Sequence, residues 1–141
     1  MDRKLKHLDF AQGVINRMGH CSFLLKGWSV ILVSGLFALA AKETNPLFVY
    51  LAYLPAISFW ILDGYYLYQE RLYRHLYDKV RTLEPDDIDF GMNASTFKGQ
   101  GKATWPDSIL SKTMLLFHGI LMLTIIVVMI ACIINNGGKN G

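Results

Sequence analysis

The 141-residue sequence has few cysteines and few charged side chains, and it lacks enrichment in proline, serine or glutamine. Two cysteines, Cys21 and Cys132, are too few for a disulfide framework or a cysteine-based metal site. Without that enrichment, the composition is not that of a disordered chain. Charged residues make up 18% of the chain and hydrophobic residues 52%. This balance disfavours a soluble enzyme of this size.

Motifs typical of enzymes and metal sites are also missing. The chain has no phosphate-binding glycine loop, no nucleophile elbow, no pair of catalytic carboxylates and no Cys–His nucleophile. The acidic run EPDDID at residues 84–89 lacks the glycine and final glutamate of a calcium-binding loop. The four histidines have no metal-ligand spacing. We therefore expect no enzymatic activity, no catalytic residues, no metal and no cofactor.

Three long apolar segments predict helices that cross a membrane. Residues 114–134 carry no formal charge, and a helix of this length spans the roughly 30 Å hydrocarbon core. Residues 23–41 are apolar apart from Lys26, and residues 47–67 are apolar apart from Asp63. The predicted fold class is an all-α membrane protein with three transmembrane helices.

The short connection between the first two segments predicts an antiparallel hairpin. Twelve of the 14 Lys and Arg residues lie in residues 1–26 or 68–113. By the positive-inside rule, the N-terminus and the second loop are cytoplasmic and the C-terminus is outside. The first twenty residues are too polar for a secretory signal peptide, so we expect none.

Helical periodicity continues beyond the first two predicted spans. Apolar residues recur at three- and four-residue steps from Leu5 to Met18 and again from Leu72 to Leu83. Thr104 and Asp107 form a capping pattern that predicts a third helix beginning near Pro106. The predicted organisation is a cytoplasmic amphipathic helix over 1–22, a transmembrane hairpin with a cytoplasmic extension over 23–83, a cytoplasmic loop over 84–105, a third transmembrane helix over 106–135 and an external tail over 136–141.

Asp63 needs a physical explanation because a carboxylate within a span costs several kcal/mol unless it is paired, protonated or wet. The hairpin places Lys26 at nearly the same depth, which predicts an ion pair. Two other interpretations stay open: a carboxylate that lines a water-filled path, and one that reaches the interface. His118, within the third span, is either a polar group bonded across helices or a proton relay.

Two further residue sets are candidates for binding or packing. Four basic residues in the cytoplasmic extension predict either a solvated salt-bridge face or a site for a nucleotide or an acidic lipid headgroup; they are Arg71, Arg74, Lys79 and Arg81. Small side chains at near-helical spacing in the first span favour close helix packing. These are Gly27, Ser34 and Ala38.

The stretch KGWSVILVSGLFALAAK, followed by LPAISFWILDGYYLYQERLYRHLYDKVR, resembles small bacterial membrane effectors of antiphage nucleotide-signalling systems, of the Hailong and CBASS types. The likeness covers residues 8–83 and centres on the phrase FWILDGYY. In such systems a nucleotidyltransferase makes a nucleotide or oligonucleotide signal, and the effector acts on the membrane. The resemblance implies a multi-subunit protein of the bacterial inner membrane that depolarises the cell. No recognisable nucleotide-sensing domain is fused to these spans.

The leading hypothesis is therefore a homo-oligomeric effector that conducts ions through, or disrupts, the lipid bilayer under control of an anionic signal made by a partner nucleotidyltransferase. Three helices alone enclose no aqueous path, so several copies are required. Asp63 would set the charge preference, Lys26 would compensate it, and the four basic residues would receive the signal. A second hypothesis is a non-conducting scaffold that anchors a partner protein. A third, proton-coupled transport through Asp63, fits poorly with a single acid and an odd number of spans.

Overall fold

The structure, a computed structural model, describes residues 2–138. All regular secondary structure in this range is helical, and three helical runs are long and apolar enough to cross a membrane, which confirms the predicted all-α class and the three candidate spans. The helices are α1 (Asp2–Glu43), α2 (Leu47–Leu51), α3 (Tyr53–Thr82), α4 (Trp105–Ile109) and α5 (Lys112–Gly137), with 3-10 turns at Pro85–Asp87 and Ala94–Phe97. Helix α5 continues into the segment expected to be a tail, and residues 139–141 of that segment lie outside the described residues.

A proline explains why the second span consists of two helices. Pro55 has no amide hydrogen, so the carbonyl of Leu51 lacks its usual helical partner and the helix is interrupted at Ala52. Ala52 keeps right-handed helical backbone angles, and its carbonyl accepts from the Ala56 amide at 3.3 Å. The helical direction is therefore maintained, and residues 47–82 form a single span-length run.

An apolar core joins the three candidate spans. Val33 of α1, Val49 of α2 and Ile125 of α5 are buried together with Ala52 and Ala56. The two alanines let the neighbouring helices approach closely, which is the usual way that helices pack in an apolar solvent. The contact between α1 and α3 is the most extensive in the fold.

The segment between α3 and α4 folds back onto α3. Its buried residues, Ile88, Ala94, Phe97 and Ala103, pack against Leu72, Leu76 and Val80. The first turns of α1 hold this segment by donating to its backbone carbonyls: Arg3 to Ile88 (3.1 Å), Lys4 to Leu83 (2.8 Å) and the His7 Nε2 to Gly91 (3.1 Å). Residues 84–104 therefore form a packed layer over the N-terminal end of α1 and the C-terminal end of α3.

Asp89 shapes one turn of this layer. The Gly91 amide donates to its carboxylate at 2.8 Å, and this hydrogen bond holds the pKa of Asp89 below its ordinary value. An aspartate is ionised at neutral pH in any case, and the lowered pKa lets the carboxylate accept from the turn at more acidic pH as well.

The third span begins differently from the expectation. Thr104 caps α4 as its spacing predicts, accepting from the Asp107 amide at 3.3 Å. The single helix expected over 106–135 is instead two, because the chain leaves α4 at Leu110 and Ser111 becomes the N-cap of α5. Helix α4 lies against α3, where the Trp60 indole donates to the Ile109 carbonyl at 3.1 Å. That bond satisfies a carbonyl at the end of a helix.

Gly64 provides the close approach between α3 and α4. A Cβ at this position would lie 3.1 Å from the Ile109 Cα and closer still to its Cγ1. We expect Gly64→Ala to lower stability by about 1–3 kcal/mol through overpacking, despite the better helix propensity of alanine. Thermal unfolding of the detergent-solubilised protein measures this loss.

The control is Gly13→Ala, at another exposed glycine of α1, because no atom outside its own stretch of the helix lies within 4 Å of a Cβ placed there. This variant should unfold at or above the wild-type temperature. Equal melting temperatures for the two variants would contradict the close-packing argument. Ile109→Ala in the Gly64→Ala background should recover part of the loss, since it removes the nearer of the two contacts.

Candidate charged site within the spans

The carboxylate of Asp63 is fully buried where α1, α3 and α5 meet. Lys26 lies with its Nζ 2.5 Å from the Asp63 Oδ2, and the His118 Nε2 lies 2.8 Å from the same oxygen. Ser22 donates its hydroxyl to Oδ1. We call these four residues the Asp63 cluster. Both carboxylate oxygens are thus bound by groups of the same chain, and the expected ion pair is present.

Helical spacing on α1 brings two members of the cluster to one face. Ser22 and Lys26 are one turn apart, and the Lys26 Nζ also donates to the Ser22 Oγ at 2.8 Å. The lysine side chain is 23% exposed, whereas that of Asp63 is 0% exposed. Its ammonium also lies 5.8 Å from the centre of the Phe117 ring, within cation–π range. Lys26 therefore reaches a buried anion from the edge of the bundle.

Aromatic rings fix the orientation of His118. Its imidazole stacks on Trp60, with ring centres 5.7 Å apart and planes 6° apart, and it meets the edge of Phe117 at 5.0 Å. The Nδ1 of His118 is buried and has no hydrogen-bond partner among the described residues. A proton on Nε2 is donated to the Asp63 carboxylate, while a second proton on Nδ1 would find no acceptor. The geometry favours a neutral imidazole that donates to the carboxylate.

The charges of the cluster therefore balance. One ammonium faces one carboxylate, and a serine and a neutral histidine supply further hydrogen bonds. Each isolated charge would cost several kcal/mol in such a site, and a paired charge costs less only if its remaining bonds are satisfied. Asp63 is inaccessible from the surface of one protomer.

The four predicted anion-binding residues have separate partners. Arg71 Nη1 donates to the Lys102 carbonyl (2.9 Å) and the Ser108 hydroxyl (3.3 Å). Arg74 pairs with Glu70 at 2.7 Å, and Arg81 lies 3.7 Å from Asp78. Lys79 lies over the Phe97 ring at 6.0 Å. These residues do not converge on one site.

The small residues of the first span lie away from its intramolecular contacts. Gly27, Ser34 and Ala38 are all exposed on α1. They do not form the packing seam within this chain, which is built by Val33 and the alanines of the second span. Their face of α1 is open to lipid or to another helix.

Two features of the Asp63 cluster were missed in the sequence. Ser22 precedes Lys26 by four residues, so its place on the same face was available from helical spacing alone. The contact between His118 and Asp63 was not available, because residues 84–111 separate their helices and leave the register of α5 undetermined. Trp60 lies one turn before Asp63, and its stacking on His118 depends on that same register.

Comparison with known proteins gives no further assignment: no protein-family model, no curated protein and no solved structure matches this chain. The kinship with antiphage effectors therefore stays a prediction.

The ion pair between Lys26 and Asp63 allows a prediction about the free energy of unfolding. Lys26→Met leaves a buried carboxylate without its cation and should cost about 3 kcal/mol. The double variant Lys26→Met/Asp63→Leu should be more stable than the sum of the two single losses implies, by about 1 kcal/mol or more. Unfolding of the purified protein in mixed detergent micelles measures all four members of this cycle.

The exposed pair Asp78 and Arg81 supplies the matched control. Its cycle, built from Asp78→Leu and Arg81→Met, should be additive to within about 0.5 kcal/mol because exposed pairs contribute little. Additive losses at Lys26 and Asp63 as well would show that their contact does not stabilise the fold.

Proposed function

We propose that this protein is an inner-membrane effector whose copies assemble into an ion-conducting or membrane-disrupting structure, controlled by an anionic signal in the cytoplasm. In this proposal α1 and the run of α2 and α3 cross the bilayer as an antiparallel hairpin. The N-terminus and residues 84–104 are cytoplasmic, and α5 ends outside, as the distribution of Lys and Arg favours. The biological setting that best fits is bacterial antiphage defence.

The observation that carries the proposal is the Asp63 cluster. Buried ion pairs are weak stabilisers, and apolar side chains of similar volume often serve a fold equally well. A chain that only anchors itself in a bilayer has no need for a lysine, an aspartate and a histidine at one depth in three helices. Ionisable groups at such positions are characteristic of ion and proton paths.

The exposed small residues supply an assembly face. A single protomer of three spans has no room for an aqueous lumen, so conduction requires a ring of copies. The face of α1 with Gly27, Ser34 and Ala38 is open, and small residues allow close approach of a helix from a neighbouring copy. Lys26 precedes Gly27 and projects about 100° around α1 from it, so the partly exposed lysine lies at the edge of this face.

The cytoplasmic part of α3 supplies a place for control. The side chains of Arg74 and Arg81 are both mostly exposed and lie two helical turns apart on one face. An anionic nucleotide would compete with Glu70 and Asp78 for these two guanidinium groups. Because the N-terminal turns of α1 hold residues 83–91, a ligand at this end would act on the helix that carries Ser22 and Lys26.

The principal test is ion flux from sealed liposomes that contain the purified full-length protein, read with a potential-sensitive dye. Wild-type protein should dissipate a potassium gradient across the liposome membrane. Asp63→Asn should lower both the cation flux and the preference for cations over anions. Asp9→Asn removes an exposed carboxylate outside the Asp63 cluster and the proposed signal site, and it serves as the control. If the wild-type protein gives no flux both without and with a cytosolic extract from infected cells, the proposal is wrong.

Assembly is tested separately. Ala38→Leu should shift the wild-type oligomer to smaller species in native mass spectrometry, because the larger side chain prevents close approach at the α1 face. Ala131→Leu, at an exposed alanine of α5, should leave the oligomer intact. A monomeric wild-type protein in detergent and in nanodiscs would contradict the assembly step.

A non-conducting scaffold is the second candidate, favoured by one specific observation. Both oxygens of Asp63 are occupied within the protomer, so the cluster is also suited to locking three spans together. A scaffold predicts no flux and a stable complex with a partner bound through residues 84–104. In that case, Asp63→Asn would reduce melting temperature and partner capture together.

A further inference from the structure

Two adjoining cavities lie along the first half of α5. One is a polar cleft of about 400 Å³ between Arg71 of α3, Lys102 of the preceding segment and Lys112 at the start of α5. The other is an apolar groove of about 440 Å³ between α1 and α5. Thr113 lines both, so the polar cleft and the apolar groove meet at one residue.

The polar cleft has an excess of positive charge. Its three cations outnumber its one carboxylate, that of Asp107, which already accepts from the Thr104 hydroxyl at 2.5 Å. Arg71 is held at the cleft because its Nη1 donates to the Lys102 carbonyl and the Ser108 hydroxyl. These two bonds use one of the three guanidinium nitrogens.

Two hydroxyls complete the lining of the cleft. Ser111 and Thr113 have oxygens 3.4 Å apart, and the Ser111 hydroxyl caps no amide of the first turn of α5. Each hydroxyl can donate to an anion. The cleft thus combines cations and hydroxyl donors, which is the chemistry that binds a phosphate group.

The groove has the opposite character. Val30 of α1 forms one side, and Leu116, Phe117, Ile120 and Leu121 form a single face of α5 on the other. Ile120 is 58% exposed within one protomer. Such a groove along a span receives hydrocarbon rather than water.

We propose that the cleft and the groove together bind one anionic phospholipid, with its phosphate between Arg71, Lys102 and Lys112 and an acyl chain along α5. The position along the membrane agrees with this ligand. Lys112 directly precedes the charge-free segment, and the nearby Trp105 is exposed at the same end, where tryptophan marks the interface. A soluble nucleotide would occupy the polar half and leave the groove unused. The inference does not rest on ion conduction.

The test is native mass spectrometry of the full-length protein in detergent, titrated with phosphatidylglycerol or phosphatidylcholine of identical acyl chains. The anionic lipid should bind and the zwitterionic lipid should bind far less. Lys102→Gln/Lys112→Gln should weaken binding of phosphatidylglycerol by on the order of tenfold. Lys6→Gln/Lys42→Gln removes the same charge at exposed positions elsewhere and should leave binding unchanged.

The groove has its own pair of variants. Ile120→Trp fills it, whereas Leu123→Trp places the same ring at an equally exposed position, 59% exposed, outside the groove lining. Only Ile120→Trp should weaken lipid binding. Inorganic pyrophosphate tests the soluble alternative: if it displaces phosphatidylglycerol while Ile120→Trp has no effect, the site binds a soluble anion and the lipid assignment is wrong.

Equal binding of the two lipids, or equal effects of the two double lysine variants, would also overturn the assignment. Because the readout is bound lipid, a negative result leaves the flux measurements unaffected. A protein that binds lipid as expected but conducts no ions would likewise retain this site while the proposed function failed.

Discussion

The structure depends on the need to satisfy one carboxylate in an apolar environment. Asp63 has no access to solvent, so its lone pairs must be met by the protein. The partners come from α1 and α5, and this requirement fixes the relative height of three helices at one level. Apolar contacts such as those around Val33 are far less directional, since a shift by one turn would replace one aliphatic contact with another. The polar cluster therefore specifies the register that the apolar core stabilises.

The same part of α3 organises the rest of the fold. Trp60 stacks on His118 and donates to the end of α4, while Gly64 lets α4 approach. The residue that precedes Gly64 is Asp63 itself. Within two turns, then, α3 contacts all of the other long helices and the short helix that leads into α5. A displacement of α4 would disturb the Trp60 ring that orients His118, and so the direction in which the Nε2 proton of His118 points toward the carboxylate.

Much of this architecture could be predicted from the sequence. The three spans follow from apolar length, the cap of α4 follows from Thr104 and Asp107, and the pairing of Lys26 with Asp63 follows from the short connection between their helices. The partnership with His118 could not be predicted, because a long connection allows α5 many registers. The division of the third helix at Leu110 was also missed, since that position has no proline or glycine to signal a break. In physical terms, features set by local sequence patterns or by short connections can be predicted. Tertiary contacts between helices joined by a long connection cannot, because the connection leaves their register open.

The closed state of the cluster bears on how such a protein would conduct. A protomer in which Asp63 is fully paired offers no free carboxylate to an ion, so conduction along this residue requires that a partner leave. Lys26 is the candidate because its side chain is already partly exposed, whereas His118 is enclosed by Trp60 and Phe117. Departure of the ammonium would leave Oδ1 bound by Ser22 and Oδ2 bound by His118, and the lone pair of Oδ2 that Lys26 had occupied would be open to water or a cation. The face of α1 next to Lys26 is the one proposed for contact with a neighbouring copy. Assembly would thus act on the residue whose movement exposes the charge, which links oligomer formation to conduction through a single side chain.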